Sequence, residues 1–118
     1  MSNDLENNLR QVIDEQGFLC GIIATSSGEE ILRYGDFDAL HWKDLVKSLF
    51  GDADAIVTLN KSLEGQILPQ VYSQGDVRCA ILKPKEELLV GLFDQSGKDA
   101  ATFYKECREI SKKLTALD

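Results

Sequence analysis

The stretch Gly17–Asp36, GFLCGIIATSSGEEILRYGD, has the glycine and serine content of a loop that could hold a phosphate. A P-loop requires G-x-x-x-x-G-K-[ST], whose lysine meets the phosphate charge, and a dinucleotide site requires G-x-G-x-x-G between a strand and a helix. The sequence contains neither motif. Because Gly28 is followed by Glu29 and Glu30, which repel phosphate, the stretch predicts a β-hairpin turn and not an anion site.

The other side chains with nucleophilic or metal-binding chemistry are few and scattered. His41 is the only histidine, and a zinc site would need two or three further ligands beside it. Cys20, Cys79 and Cys107 form no C-x-x-C pair, and burial in strands would blunt the reactivity of the first two. We therefore expect the thiols to pack as small hydrophobic groups rather than to join a Cys–His catalytic pair. The sequence predicts no catalytic residue, no metal and no cofactor.

The composition narrows the class of partner. The 118 residues carry a net charge of −7, which would repel nucleic acid and an anionic membrane surface, and no basic run compensates. No apolar run approaches the ~18 residues of a membrane span, and the polar start MSNDLENN has no signal-peptide core. We expect a soluble, cytoplasmic protein with no nucleic-acid partner and no membrane span.

Apolar periodicity and turn residues divide the chain into eight elements. They are a helix at 3–16, strands at 18–25 and 30–34, a long helix from Asp36 or Asp38 to about Leu63, strands at 66–72, 77–83 and 87–93, and a terminal helix after a capping pattern at Ser96–Asp99. Short turns between consecutive strands imply antiparallel pairing. The prediction is an α+β fold over residues 1–118, a single domain with a five-stranded antiparallel sheet and flanking helices in the order α-β-β-α-β-β-β-α.

The long central helix carries a second stripe opposite its apolar face. Small residues recur there every three or four positions, and the stripe consists of Asp44, Ser48, Gly51, Ala55, Thr58 and Ser62. Glycine within a helix costs about 1 kcal/mol relative to alanine, which close approach of another helix would offset. We infer a helix–helix contact about a two-fold axis. The alternative is that Gly51 ends one helix and Asp52 caps the next.

The whole pattern resembles the roadblock/dynein-light-chain family. The resemblance covers residues 3 to 117 and depends on the element order, the hairpin GFLCGIIATSSGEEILRYGD and the strand ELLVGLFDQSG. It implies a profilin-like/roadblock architecture and a homodimer, or a heterodimer with a paralogue. In such dimers the central helices pack together and the third strands join into one sheet. It also implies a non-enzymatic regulator or scaffold for a small Ras-like GTPase, in some bacterial cases a GTPase-activating partner that donates no catalytic residue.

Carried onto this sequence, the resemblance gives a dimer interface formed by Ser48, Gly51, Ala55, Thr58, Ile67 and Val71. Pro69 lies within the third strand, where it cannot donate a ladder hydrogen bond. That strand either pairs across the dimer over a shorter length or is an edge that proline protects from aggregation.

Two large rings near element ends are candidate contacts for the GTPase. They are Trp42 and Tyr72, although Trp42 also fits the apolar stripe of the central helix and could pack in the core. The rival function class is a PAS- or GAF-like sensor of a small molecule, which needs polar groups aimed into an apolar cavity. Thr25, Tyr72 and Arg78 are the candidates for that role.

Overall fold

The computed structural model of the protein describes residues 2–116, with side chains from residue 4 onward. The elements are α1 (Ser2–Gln16), β1 (Cys20–Thr25), β2 (Glu30–Gly35), a 3-10 turn (Phe37–Ala39), α2 (Asp44–Phe50), α3 (Ala53–Ser62), β3 (Gln70–Gln74), β4 (Val77–Lys85), β5 (Leu88–Asp94) and α4 (Ala100–Thr115). Residues 1, 117 and 118, which the predicted domain includes, lie outside this described part. A single domain over 1–118 therefore stays a prediction.

The five strands form one antiparallel sheet in the order β2-β1-β5-β4-β3. The predicted α+β class and the order of strands along the chain are confirmed. β1 and β5 lie side by side although the chain places them far apart, which buries the apolar run of each strand in the middle of the sheet. β2 and β3 are the two edges.

The helices cover both faces of the sheet, and the sheet separates the core into two clusters. α2 and α3 cover one face around Phe93, whose ring makes edge contacts with Phe37 and Phe50 at centroid distances of 6.0 and 6.4 Å. α1 and α4 cover the other face around Phe103, which meets Phe18 edge-on. The alternating strand residues supply both cores, because successive side chains point to opposite faces of the sheet.

The long central helix is not continuous, and the expectation of one helix to Leu63 is wrong. Gly51 closes α2 with its N–H donating to the Lys47 carbonyl. Asp52 then takes an extended conformation, φ −155°, and its side chain accepts a hydrogen bond from the Ala55 N–H at 2.8 Å. An aspartate cap supplies an acceptor to an N–H that has no partner within the helix. The alternative of two helices joined at Gly51–Asp52 is confirmed.

Two further boundaries differ from the prediction. The cap of α4 is Asp99, which accepts hydrogen bonds from the N–H and hydroxyl of Thr102, whereas the Ser96 hydroxyl donates to Asp94. β3 begins at Gln70, so Pro69 precedes the strand and removes no ladder hydrogen bond from it.

Candidate functional site

A shallow groove of about 340 Å³ runs between the α2–α3 pair and β3, and we call it the α2–α3 groove. Its lining consists of Ser48, Leu49, Asp54, Ala55, Thr58, Leu59, Ser62 and Tyr72. The break at Gly51–Asp52 therefore does not scatter the predicted stripe, because three of the predicted dimer residues, Ser48, Ala55 and Thr58, still share one surface.

Two hydroxyl groups of the groove, those of Ser48 and Ser62, are already hydrogen-bonded within their own helices. The Ser48 hydroxyl donates to the Asp44 carbonyl at 2.9 Å, and the Ser62 hydroxyl donates to the Leu59 carbonyl at 2.7 Å. A group that has its hydrogen bond can be covered by another protein without the loss that an unpaired polar group incurs. The groove therefore offers short side chains on which an apolar or backbone surface can settle.

Gly51 does not belong to this groove. It closes α2 with helical dihedral angles, and a side chain added there would meet the carbonyl of Lys47 in its own helix. The structure thus explains this glycine by the end of a helix, where the sequence interpretation placed it inside a helix–helix contact. A substitution of Gly51 would disturb α2 itself and is not a clean test of self-association.

The outer edge of β3 borders the groove and pairs with no strand of residues 2–116. Tyr72 and Val71 point to opposite faces of this strand: Tyr72 pairs with Cys79 above the α2–α3 core, and Val71 pairs with Ala80 on the α4 side. Val71 is 38% exposed, and Ile67, which precedes the strand, is 78% exposed. The two predicted interface residues from this region therefore lie at the open edge, outside the groove.

Trp42 lies outside both cores, so the alternative of core packing is wrong. α2 begins at Asp44, two residues later, and Trp42 is 47% exposed. Its indole rests on Gly75 in the turn between β3 and β4, where any side chain would overlap the ring. Gly75 has φ +59°, a conformation that favours glycine, so the position is suited to a bare backbone on both counts.

Hydrogen bonds fix the loop that carries Trp42. His41 Nδ1 lies 2.6 Å from the Asp76 carboxylate, and the Gln95 side chain accepts from the His41 N–H at 3.0 Å and donates to the Ala39 carbonyl at 2.8 Å. These clamping residues were not predicted, because they come from three distant parts of the chain. Only the turn residues Ser73-Gln74-Gly75 gave a signal, and that signal indicated a hairpin.

The cysteines are buried in the two cores, at the positions where they were expected to pack as small hydrophobic groups. Burial raises the pKa of the Cys20 and Cys107 thiols to about 12, and it also raises the pKa of Cys79. A thiol that resists ionisation is a poor nucleophile. His41 instead faces Asp76 at the surface, so the structure does not bring the histidine together with a cysteine.

The three residues proposed for a ligand pocket do not converge. Thr25 lies at the β1–β2 turn, where its hydroxyl accepts from the Glu29 N–H. Tyr72 points to the α2–α3 side of the sheet, whereas Arg78 points to the α4 side and places its guanidinium 5.7 Å from the centre of the Phe103 ring. The arrangement does not favour the sensor.

The described residues contain neither a metal-binding cluster nor a membrane-spanning helix. No group of three or more His, Cys, Asp or Glu side chains in residues 2–116 is arranged to hold a metal ion. In the same part of the chain, no helix has both the length and the apolar content needed to cross a bilayer.

Comparisons with known proteins identify the fold. No protein-family model and no curated protein matches the sequence. Among solved structures, Myxococcus xanthus MglB is 12% identical, over 95% of this chain and 92% of its own, with a TM-score of 0.64. The gliding protein MglB from Thermus thermophilus is 15% identical over 96% and 87%, and an MglB with a tetrameric arrangement is 14% identical over 96% and 86%, both with TM-scores of 0.63. The fold expected from the roadblock resemblance is confirmed, and the chain has the fold of the MglB proteins.

Proposed function

We propose that this protein is a non-enzymatic dimeric module that binds a small Ras-like GTPase, as a regulator or scaffold. The single observation that carries the proposal is the MglB fold over 95% of the chain, which agrees with the roadblock resemblance of the sequence. The family resemblance implies action through the GTPase's own catalytic site. The cytoplasm, where such GTPases work, is the proposed location.

The second copy of the chain, or a paralogue, is proposed to dock on the α2–α3 groove and the open edge of β3. Three features support this surface: short side chains in the groove, an edge strand free to pair, and apolar side chains exposed at its rim. A sheet edge with unpaired backbone groups is a ready template for a strand of another chain. In this proposal Ser48, Ala55, Thr58, Ile67 and Val71 lie at the subunit interface.

The GTPase is proposed to bind at the rim of the dimer interface. Trp42 and Tyr72 are the proposed contacts, since both rings are partly exposed and large rings dominate the binding energy of many interfaces. A chain that acts only by positioning its partner's loops needs no nucleophile or general base of its own.

The test combines mass and nucleotide dependence. Native mass spectrometry of the purified protein is expected to give a ligand-free species at twice the 13.1 kDa chain mass. The Ras-like GTPases encoded by the same genome, purified and loaded with GDP or a non-hydrolysable GTP analogue, are then titrated against it. Binding of one GTPase in one nucleotide state is the expected result, and hydrolysis rates with and without the protein separate an activator from a scaffold. A monomer that binds none of these GTPases in either state would contradict the proposal.

A further inference from the structure

The two most exposed large apolar side chains of the described residues lie at opposite ends of the edge strand β3. Trp42, 47% exposed, rests on the turn that follows the strand. Ile67, 78% exposed, lies three residues before the strand begins. The Gln70 side chain donates a hydrogen bond to the Ile67 carbonyl at 2.8 Å, which ties this residue to the start of β3.

We propose that in the dimer the Trp42 indole of each subunit is covered by Ile67 of the other. The inference depends on the proposed self-association through β3. When two identical strands pair antiparallel about a two-fold axis with full overlap, the first residue of one faces the last residue of the other. Gln70 then lies opposite Gln74 of the second copy. Because the Gln70 side chain holds the Ile67 carbonyl, Ile67 stays beside Gln70 and so lies close to that strand's end and to the turn at Gly75 that supports Trp42.

The chemistry of the two side chains suits this contact. Both are apolar, and covering them removes from water a surface that each monomer leaves exposed. The indole is also held in place before binding, by Gly75 beneath it and by the contacts of His41 with Asp76 and Gln95, so little ordering accompanies the contact. Because the axis is two-fold, each dimer contains the contact twice.

A second copy of the chain accounts for more of the exposed apolar residues than a GTPase bound at Trp42 does. A GTPase seated on Trp42 would account for the exposed indole and leave Ile67 unexplained. Self-pairing accounts for both residues, and for their placement at opposite ends of one strand. Ile31 offers a comparison, because it is 40% exposed on the other edge strand, β2, and has no role in the proposed contact.

The experiment uses Trp42 as its own reporter, since it is the only tryptophan in the chain. Acrylamide quenching of its fluorescence is measured from concentrations where the protein is dimeric to those where it is monomeric, with mass followed by sedimentation. Dissociation is expected to increase quenching about twofold and to shift emission to longer wavelength. Ile67→Ala is expected to increase quenching in the remaining dimer and to raise its dissociation constant about tenfold. Ile31→Ala is the matched control and is expected to change neither quantity.

A double substitution isolates the contact. Trp42→Ala and Ile67→Ala together are expected to weaken the dimer little more than the stronger single variant does, because either change alone removes the same contact. Circular dichroism of each variant verifies folding, which is expected to survive because both side chains are exposed. Independent, additive effects of the two substitutions would overturn the inference.

The remaining outcomes separate this inference from the proposed function. A dimer in which quenching does not change on dissociation would overturn the Trp42–Ile67 contact and leave the dimer itself standing. Protection of Trp42 that arises only when a GTPase is added would also overturn it. A chain that stays monomeric at every concentration would overturn both.

Discussion

Replacing Thr58 by arginine tests whether the α2–α3 groove is a subunit interface. Thr58 is exposed in the middle of α3, and the residues one turn away on the same face, Ala55 and Ser62, are short. Arginine has a higher helix propensity than threonine, so the folded monomer is expected to change in stability by no more than about 0.5 kcal/mol. The effect on a dimer is expected to be much larger.

The size of that effect follows from the geometry of close helix contacts. Helices that meet through small residues lie about 8 to 10 Å apart, which leaves no room for a fully extended arginine between them. Each introduced guanidinium would either separate the surfaces or lose water on burial, for which pairing with Asp54 one turn earlier in α3 compensates only in part, at a cost of about 2 kcal/mol. Two-fold symmetry introduces the change twice, so the dimer weakens by about 4 kcal/mol, close to a thousandfold in Kd.

Sedimentation equilibrium over a dilution series measures this Kd for the wild type, Thr58→Arg and a control. Thr115→Arg is the matched control, because Thr115 is exposed at the end of α4, away from the groove, and is expected to leave Kd unchanged. Urea unfolding at a concentration where all three proteins are monomeric verifies that the folded state is intact. A Thr58→Arg protein that dimerises as tightly as the wild type would refute the placement of α3 in the interface.

Three further predictions test the turn beneath Trp42, the cap of α4 and the burial of the cysteines. Gly75→Ala is expected to lower the free energy of unfolding by about 1–3 kcal/mol in urea titrations and to red-shift Trp42 emission, because alanine disfavours φ +59° and its Cβ would overlap the indole. Hydrogen bonds from Thr102 lower the pKa of the capping Asp99, so its carboxylate stabilises the folded state at pH 7. Asp99→Ala is therefore expected to lower Tm at pH 7, and the difference in Tm from the wild type is expected to shrink as the pH falls below 3.8. Asp99→Asn is expected to keep the cap and to change Tm less. The three cysteines are expected to react with a maleimide only in denaturant, and rapid labelling of the native protein would contradict their burial.

The sheet could be predicted because its signals are local. Each strand is an apolar run bounded by residues that favour turns, such as Ser26-Ser27-Gly28 and Ser73-Gln74-Gly75, and short turns force antiparallel neighbours. The order of the strands across the sheet could not be predicted in this way. The pairing of β1 with β5 joins residues about 70 positions apart in the chain, and no spacing within the sequence encodes that distance.

The central helix shows where periodicity misleads. The apolar spacing continues in phase through Gly51, so one long helix and two capped helices predict nearly the same buried residues. The two alternatives differ only in the conformation of Asp52, which is helical in the first and an extended cap in the second. The prediction that Trp42 belongs to the apolar stripe of the central helix is wrong for a related reason. Its spacing from Leu45 and Val46 matches a helix, but α2 begins at Asp44, and helical spacing says nothing about a residue that precedes the helix.

The two edges of the sheet differ in a way that bears on how the protein assembles. β2 carries an ion pair between Glu30 and Arg33 at 2.7 Å, the Arg33 guanidinium lies 4.8 Å from the centre of the Phe37 ring, and a register shift interrupts its pairing with β1. Charges and bulges are the devices that keep an edge strand from pairing with another chain. β3, with the sequence QVYSQ, has no charged residue and pairs regularly with β4 along its whole length. If a second chain extends this sheet, the physical chemistry of the edges favours β3, which is the edge that the α2–α3 groove, Ile67 and Trp42 surround.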